Sequence, residues 1–192
     1  IGHRAVDILR VVPNVFVEKG KRRATERLLA TLGLDFREKR VISLPPEGRG
    51  RARDLAHMLD AIATRREDAC LFGVDEGAPG FVDPGKELIL EAARMRDRVR
   101  IASIGGASAL GTALMRVEHP VCGFVFLGRV ETARDAALVV SHLRHSRWPP
   151  LPVAFYVTSR RPHSILTTIA RGCAGWDAQM TVCRNLTMSD EE

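Results

Sequence analysis

The chain has 192 residues, 45% of them apolar, which is enough to bury a core and to form one large domain or two small ones. Its 29 basic and 23 acidic residues give a net charge of +6 at pH 7. Nearly all the basic residues are arginines, which suit bidentate phosphate contacts, although a GC-rich genome would supply the same excess. No apolar run reaches the length of a membrane span and no stretch resembles a secretion signal, so we expect no membrane contact.

The four cysteines lie far apart in the sequence and form no C-x-x-C pair: Cys70, Cys122, Cys173 and Cys183. This spacing predicts free buried thiols in a reducing compartment and no metal site. We therefore expect a cytoplasmic location, or the mitochondrial matrix if a targeting peptide before Ile1 has been removed.

Apolar periodicity, with glycine and proline at the breaks, predicts alternating helices and strands in the first part of the chain. The predicted helices cover residues 5–9, 21–32, 51–63 and 87–95, with another after 105–107, and the predicted strands cover 15–17, 41–44, 69–74 and 99–104. We expect Gly33 to cap the second helix, with Ala24, Leu28 and Leu32 facing inward. Such alternation predicts a mainly parallel sheet covered by helices.

A second run of elements begins after His119-Pro120. It comprises predicted strands at residues 123–128, 152–157 and 180–183, and predicted helices at 131–144 and 161–171. We therefore predict an α/β protein with an N-terminal domain at residues 1–118 and a smaller, truncated mixed α/β domain at residues 119–192.

The stretch 73–85, G-V-D-E-G-A-P-G-F-V-D-P-G, connects a predicted strand to a predicted helix. In open α/β sheets, ligands bind beyond the carboxyl ends of the strands. Gly77 and Gly80 allow the main chain to approach a ligand closely, and Pro79 and Pro84 restrict the shape of the loop. From these residues alone the stretch is either a ligand-binding loop or a long connecting turn.

Residues 75–80 followed by 83–85 resemble the D-A-G-x-P-G-x-x-D-P-G loop of the tetrapyrrole (corrin/porphyrin) methylase family. Further stretches are similar to other motifs of that family in the same order. G-G-A-S-A-L at 105–110 resembles P-G-P-S-A-L, and F-V-F-L-G at 124–128 resembles F-L-F-x-G. F-Y-V-T-S-R-R at 155–161, R-N-L-T at 184–187 and V-E followed by a basic helix at 17–27 are also similar to family segments.

The resemblance implies a two-domain fold and S-adenosylmethionine (SAM) as cofactor. Within the family, the motifs resemble in particular those of the branch of ribosomal RNA small subunit methyltransferase I and its relatives, which implies 2′-O-methylation of a ribose in small-subunit ribosomal RNA. Two alternatives stay open: an inactive paralogue that serves as an assembly factor for the small ribosomal subunit, and a methylase of a small tetrapyrrole. The implied partners are ribosomal RNA or the assembling small subunit, and a second copy or a paralogue in a dimer.

The chain departs from the family pattern in every motif. We expect the usual first strand and its P-I-G-N loop to lie before residue 4, where Ile1-Gly2 is the one possible remnant. Other residues replace the common ones at Lys19, Glu76, Gly105, Ala107, Arg129, Val157 and Asn185. These departures are compatible with a distant active member and with a paralogue that kept the fold and lost the reaction.

The family motifs assign candidate site residues by position. The resemblance implies cofactor contacts from Asp75, Glu76, Gly77, Ala78, Gly106, Ala107, Ser108, Phe126, Leu127 and Asn185. Glu18 is the candidate for a catalytic polar role near the substrate. RNA contacts are expected from the basic residues Lys21, Arg22, Arg23 and Arg161, for which a solvated surface is the alternative.

Overall fold

The computed structural model describes residues 1–73, 85–117, 121–145, 151–158, 160–186 and 189–190. The chain divides into two compact units, Ile1–Ser108 and Ala109–Glu192. His119 lies outside the described residues, so the boundary between residues 118 and 119 stays a prediction. Among the helices of the described ranges, none combines the length and apolar character that a bilayer span requires.

The first unit is built on three parallel strands. Its elements are α1 (His3–Val11), β1 (Asn14–Val17), α2 (Arg22–Thr31), a short 3-10 helix (Phe36–Glu38), β2 (Arg40–Ser43), α3 (Arg51–Thr64), β3 (Ala69–Leu71) and α4 (Lys86–Arg94). The sheet order is β2-β1-β3, and Val15 of β1 pairs with Val41 of β2 and Cys70 of β3. The parallel α/β architecture predicted from the alternation of elements is confirmed.

The central strand β1 is buried along its whole length, and its side chains alternate between two cores. Val15 and Val17 face the first core, which contains Leu9, Val12, Leu29, Leu34 and Val41. Phe16 faces the second core, which contains Leu44, Leu55, Leu59, Ile62, Leu88 and Ala92. The sheet is therefore covered on both faces, by α1 and α2 on one and by α3 and α4 on the other.

Helix α2 ends at the glycine that the sequence indicated. Gly33 has φ 70°, its N–H donates to the Ala30 carbonyl at 3.0 Å, and the Leu34 N–H donates to the Leu29 carbonyl at 2.9 Å. This pair of bonds is a Schellman motif, which satisfies carbonyls at the end of the helix. The predicted inward face is displaced by one residue: Ala24, Leu28 and Leu32 are half-buried, because Thr25 and Leu29 occupy the fully buried positions.

Polar and charged side chains form hydrogen bonds between the strands at the amino edge of the sheet. The Asn14 amide donates to the Asp68 carbonyl at 2.9 Å and to Glu67 Oε2 at 3.2 Å, and it accepts from Arg40 Nε at 2.9 Å. Glu67 also accepts from Arg40 and from Arg65. These hydrogen bonds lower the pKa of Glu67 from 4.5 to about 2, and the bond from Arg40 has the largest effect.

Two predicted strands do not form. Residues 99–104 and 180–183 have no regular secondary structure and pair with no strand in the described ranges. Ile101 is 47% exposed, and Met180 and Val182 are 48% and 55% exposed. Short apolar runs predict a strand only where a neighbouring strand supplies backbone partners, and the local sequence does not reveal whether one is present.

The second unit contains α5 (Ala109–Leu114), β4 (Val125–Val130), α6 (Ala133–His145), β5 (Val153–Val157) and α7 (Pro162–Gly172). Strands β4 and β5 pair in parallel, and α6 packs on α7. The helices approach closely at Gly172, where a Cβ would stand 2.6 Å from Val140 Cγ2. Helix α6 begins after Thr132 because Thr132 and Asp135 form a reciprocal capping box. The Thr132 N–H donates to Asp135 Oδ2 with an N···O distance of 2.8 Å, and the Asp135 N–H donates to Thr132 Oγ1 with an N···O distance of 3.2 Å.

Candidate functional site

The carboxyl ends of β1, β2 and β3 meet at one edge of the sheet because the three strands are parallel. The ladder continues past the strands: the Leu44 N–H donates to the Val17 carbonyl at 2.8 Å, and the Phe72 N–H donates to the Phe16 carbonyl at 3.0 Å. Glu18 and Gly73 therefore follow neighbouring strands at this edge. We call it the carboxyl edge, and it is where α/β proteins bind ligands.

Glu18 directly follows the central strand and is half-buried. Its carbonyl accepts from the Lys21 N–H at 3.1 Å, which closes a turn that includes Gly20 at φ 83°. The turn brings the chain from the end of β1 into α2. The candidate catalytic carboxylate thus lies at the centre of the carboxyl edge, beside the start of the loop that begins at Gly73.

Asp75, Glu76, Gly77 and Ala78 lie outside the described residues, but both ends of their loop are described. Gly85 is buried, has φ 110° and precedes the first residue of α4. A Cβ at Gly85 would stand 2.6 Å from Leu71 Cδ2, in the last residue of β3. The loop therefore leaves and rejoins the folded unit at nearly the same point of the carboxyl edge.

The basic residues Lys21, Arg22 and Arg23 also lie at this edge, at the start of α2. Arg22 Nε donates to Glu26 Oε1 at 2.9 Å, and Arg23 is exposed. Helices α3 and α4 begin at the same edge, and within the described ranges none of the three N-termini has a side-chain cap bond. Helix dipoles place positive potential at N-termini, so basic residues there make the edge attractive to anions.

The predicted turn at Gly106, Ala107 and Ser108 is described and exposed. A Cβ at Gly105 or Gly106 would meet no atom within 4 Å, so the main chain here is open to a ligand. The turn does not follow a strand, since residues 99–104 are irregular.

In the second unit, Phe126 and Leu127 lie in β4 next to an irregularity in its pairing with β5. The register shifts between Phe126 and Arg129, and Gly128 adopts φ 74°. The Phe126 ring packs edge-to-face on Tyr156, with centroids 5.3 Å apart. Bulges of this kind redirect a strand and are frequent beside binding sites.

Asn185 and Arg161 also belong to the second unit. Asn185 has φ 52°, is exposed, and donates to Asp190 Oδ2 at 2.7 Å. Arg161 is exposed and precedes the first residue of α7. The structure thus gathers Glu18 and the basic start of α2 at the carboxyl edge of the first unit. The turn at Gly106–Ser108 closes that unit's sequence, and Phe126, Leu127, Asn185 and Arg161 belong to the second unit.

Sequence reasoning missed Arg51, the first residue of α3. Its side chain is 11% exposed, and its Nη2 lies 3.6 Å from Glu87 Oε2 in the first turn of α4. The alternation G-R-G-R-A-R at residues 48–53 was the available signal, since basic residues are unusual at a helix start. As for metals, the described ranges hold no group of three or more His, Cys, Asp or Glu side chains arranged to bind one.

Comparison with known proteins agrees with this architecture and these motifs. The sequence profile of the family described as Tetrapyrrole (Corrin/Porphyrin) Methylases matches residues 1–192. A curated protein named Ribosomal RNA small subunit methyltransferase I, from Leptospira borgpetersenii serovar Hardjo-bovis (strain L550), is 32% identical over 119 residues. The match covers 61% of this chain and 46% of that protein, so the chain spans less than half of the relative. On the profile match across its length, the chain belongs to the tetrapyrrole methylase family of methyltransferases.

Proposed function

We propose that the chain is a SAM-dependent methyltransferase that acts on a ribose 2′-hydroxyl of small-subunit ribosomal RNA. The observation that carries this proposal is the 32% identity to a protein named as a small-subunit ribosomal RNA methyltransferase, within a family of methyltransferases. The basic start of α2 at the carboxyl edge supports an anionic substrate.

The residues present fit a SAM-type cofactor. The main chain at residues 105–107 is exposed, and a Cβ at Gly105 or Gly106 would meet no atom within 4 Å, so a ligand can approach it closely. In the second unit, the pairing of β4 with β5 is interrupted between Phe126 and Arg129. We propose as cofactor-binding residues Asp75, Glu76, Gly77, Ala78, Gly106, Ala107 and Ser108 in the first unit, and Phe126, Leu127 and Asn185 in the second. SAM, when bound, supplies an activated methyl group.

The protein must then orient the accepting hydroxyl and assist the loss of its proton. Glu18 is suited to this because it is half-buried at the end of the central strand, where its carboxylate can accept a hydrogen bond from a substrate hydroxyl. We propose that Lys21, Arg22, Arg23 and Arg161 bind phosphates of the RNA.

A second candidate function is a non-catalytic assembly factor for the small ribosomal subunit. The replacements at Glu76, Gly105 and Ala107 favour it, because they fall within motifs that we assign to the cofactor site. A methylase of a small tetrapyrrole is the third candidate. In each case we propose a dimer with a second copy or a paralogue, which light scattering tests directly.

Calorimetric titration with SAM separates the methyltransferase from the assembly factor. The wild type is expected to bind SAM, and Asp75→Ala to weaken binding by about tenfold or more through loss of a charge-assisted hydrogen bond. The matched control is Asp97→Ala, an exposed aspartate after α4. Failure of the folded wild type to bind SAM would contradict the enzyme proposal, and equal effects of the two substitutions would contradict the role of Asp75.

A further inference from the structure

The Arg51 side chain is mostly buried, and its Nε lacks the hydrogen bond that a buried N–H requires. Its side chain is 11% exposed, and its Nε is buried with no hydrogen-bond partner among the residues that the structure describes. Nη1 lies 3.9 Å from Glu47 Oε1 and Nη2 lies 3.6 Å from Glu87 Oε2, distances too long for hydrogen bonds. A buried cationic donor is costly unless acceptors satisfy it, so this arrangement points to a missing acceptor.

Arg51 lies between the first turns of two helices that begin at the carboxyl edge. Gly50 and Gly85 precede α3 and α4 with φ 94° and φ 110°, and neither provides a side-chain acceptor. The N–H groups of the first turns, such as those of Ala52 and Arg53, have no acceptor within their own helix. Two helix N-termini and a guanidinium thus present donors and positive potential to the same place.

Among the described residues in and next to the first turns of α3 and α4, four are basic and three are acidic. The basic residues are Arg49, Arg51, Arg53 and Lys86, and the acidic ones are Glu47, Asp54 and Glu87. Helix starts ordinarily favour acidic residues, so the positive charges of three arginines within residues 49–53 interact unfavourably with the positive end of the helix dipole. A bound anion would offset this unfavourable interaction.

The carboxylates of Glu47 and Glu87 do not already act as this anionic ligand. The Glu47 side chain is 90% exposed and that of Glu87 is 50% exposed, so both can turn toward water when an anion enters. At 3.6 to 3.9 Å they offset the charge of Arg51 without satisfying its N–H groups.

We infer that Arg51 and the first turns of α3 and α4 form a subsite for a backbone phosphate of the RNA. The guanidinium offers a planar pair of donors that matches two phosphate oxygens, and the helix amides supply further donors. The inference rests on the proposed function for the identity of the polyanion. It adds Arg51, the first residue of α3, to the proposed RNA-contacting residues. The family motifs do not include this position.

NMR titration of the full chain tests the subsite without requiring SAM binding or catalysis. Inorganic phosphate and a short single-stranded RNA oligonucleotide are added separately to protein labelled with ¹⁵N. We expect the RNA to shift the Arg51 Nε–H resonance and the amides of Ala52, Arg53 and Glu87. Shifts with both ligands identify a general phosphate site, and shifts with RNA alone identify a site for the polynucleotide backbone. Absence of shifts at these groups with RNA overturns the inference, whether or not SAM binds.

Substitutions provide a second test through the affinity for RNA. Arg51→Met is expected to weaken binding by about tenfold and to reduce the slope of log affinity against log salt by about 0.7, the effect of one lost phosphate contact on a single strand. The control is Arg96→Met, at an exposed arginine beyond the opposite end of α4. If Arg51→Met does not fold, the exposed pair Arg49→Met and Arg53→Met replaces it, with a smaller loss in the same direction. Folded variants with the affinity and salt slope of the control contradict the subsite.

Discussion

Gly85 lies against Leu71, so close that a Cβ at Gly85 would stand 2.6 Å from Leu71 Cδ2. Leu71 ends β3 and Gly85 precedes α4, so this contact fixes the distance between the two ends of the loop with the family motif. The backbone of Gly85, at φ 110°, is also one that other residues rarely adopt. Sterics and backbone conformation thus both require glycine at this position.

Gly85→Ala is expected to lower the free energy of unfolding by about 1–3 kcal/mol, because the methyl group displaces Leu71 and the backbone is strained. Urea denaturation measures the change. Gly33→Ala is the control, since Gly33 has φ 70° with no atom within 4 Å of its Cβ position. A loss at Gly85 no larger than that at Gly33 would show that the contact with Leu71 does not constrain the loop.

Phe16→Ala is expected to be among the most destabilising substitutions in the first unit. Phe16 is 1% exposed and is the residue of β1 that packs against α3 and α4. Removing a buried aromatic ring costs about 3–5 kcal/mol through lost burial and the cavity left behind. Thermal and urea unfolding measure it against Val11→Ala, at an apolar residue that is 76% exposed. Comparable losses for both variants would contradict the assigned core.

The Glu67 cluster predicts a loss of stability in acid. The pKa of Glu67 is lowered from 4.5 to about 2, chiefly by hydrogen bonds from Arg40 and Arg65. Because the folded state favours the ionised carboxylate, its contribution is fully present above pH 4.5 and is lost as the pH falls toward 2. The free energy of unfolding, measured between pH 4.5 and about 2, should depend less on pH in Glu67→Gln than in the wild type. The same change at exposed Glu38 serves as control, and identical acid profiles for the wild type and Glu67→Gln would rule out the linkage.

The cysteines are expected to differ in reactivity. All four are free; Cys122 is exposed, which corrects the prediction of four buried thiols, while Cys70 is half-buried. Burial raises the pKa of the Cys70 thiol to about 11, so almost none of it is thiolate at mildly basic pH. Mass spectrometry after brief alkylation of the native protein should find Cys122 modified and Cys70 unmodified. Equal labelling of both would contradict the placement of Cys70 against the first core.

The sequence predicted those parts of the molecule that local pattern determines. Alternation of elements predicted the parallel sheet around β1, and Gly33 marked the end of α2. The prediction of a strand at residues 99–104 was wrong, because strand formation also depends on a neighbouring strand that the local sequence does not identify. Arg51 was missed for a similar reason: its burial arises from the approach of α4 to α3, which joins residues far apart in the chain.

Methyl transfer to RNA is the most direct test of the proposed function. Purified full chain is incubated with SAM carrying a labelled methyl group and with immature small ribosomal subunits, and the RNA is then digested and analysed for 2′-O-methylated nucleosides. We expect label on a ribose 2′-hydroxyl, with transfer reduced in Glu18→Gln and in Asp75→Ala and retained in Asp97→Ala. SAM binding without transfer to RNA, or association with the subunit without SAM binding, would contradict the proposed methyltransferase function, and the latter result would identify an assembly factor.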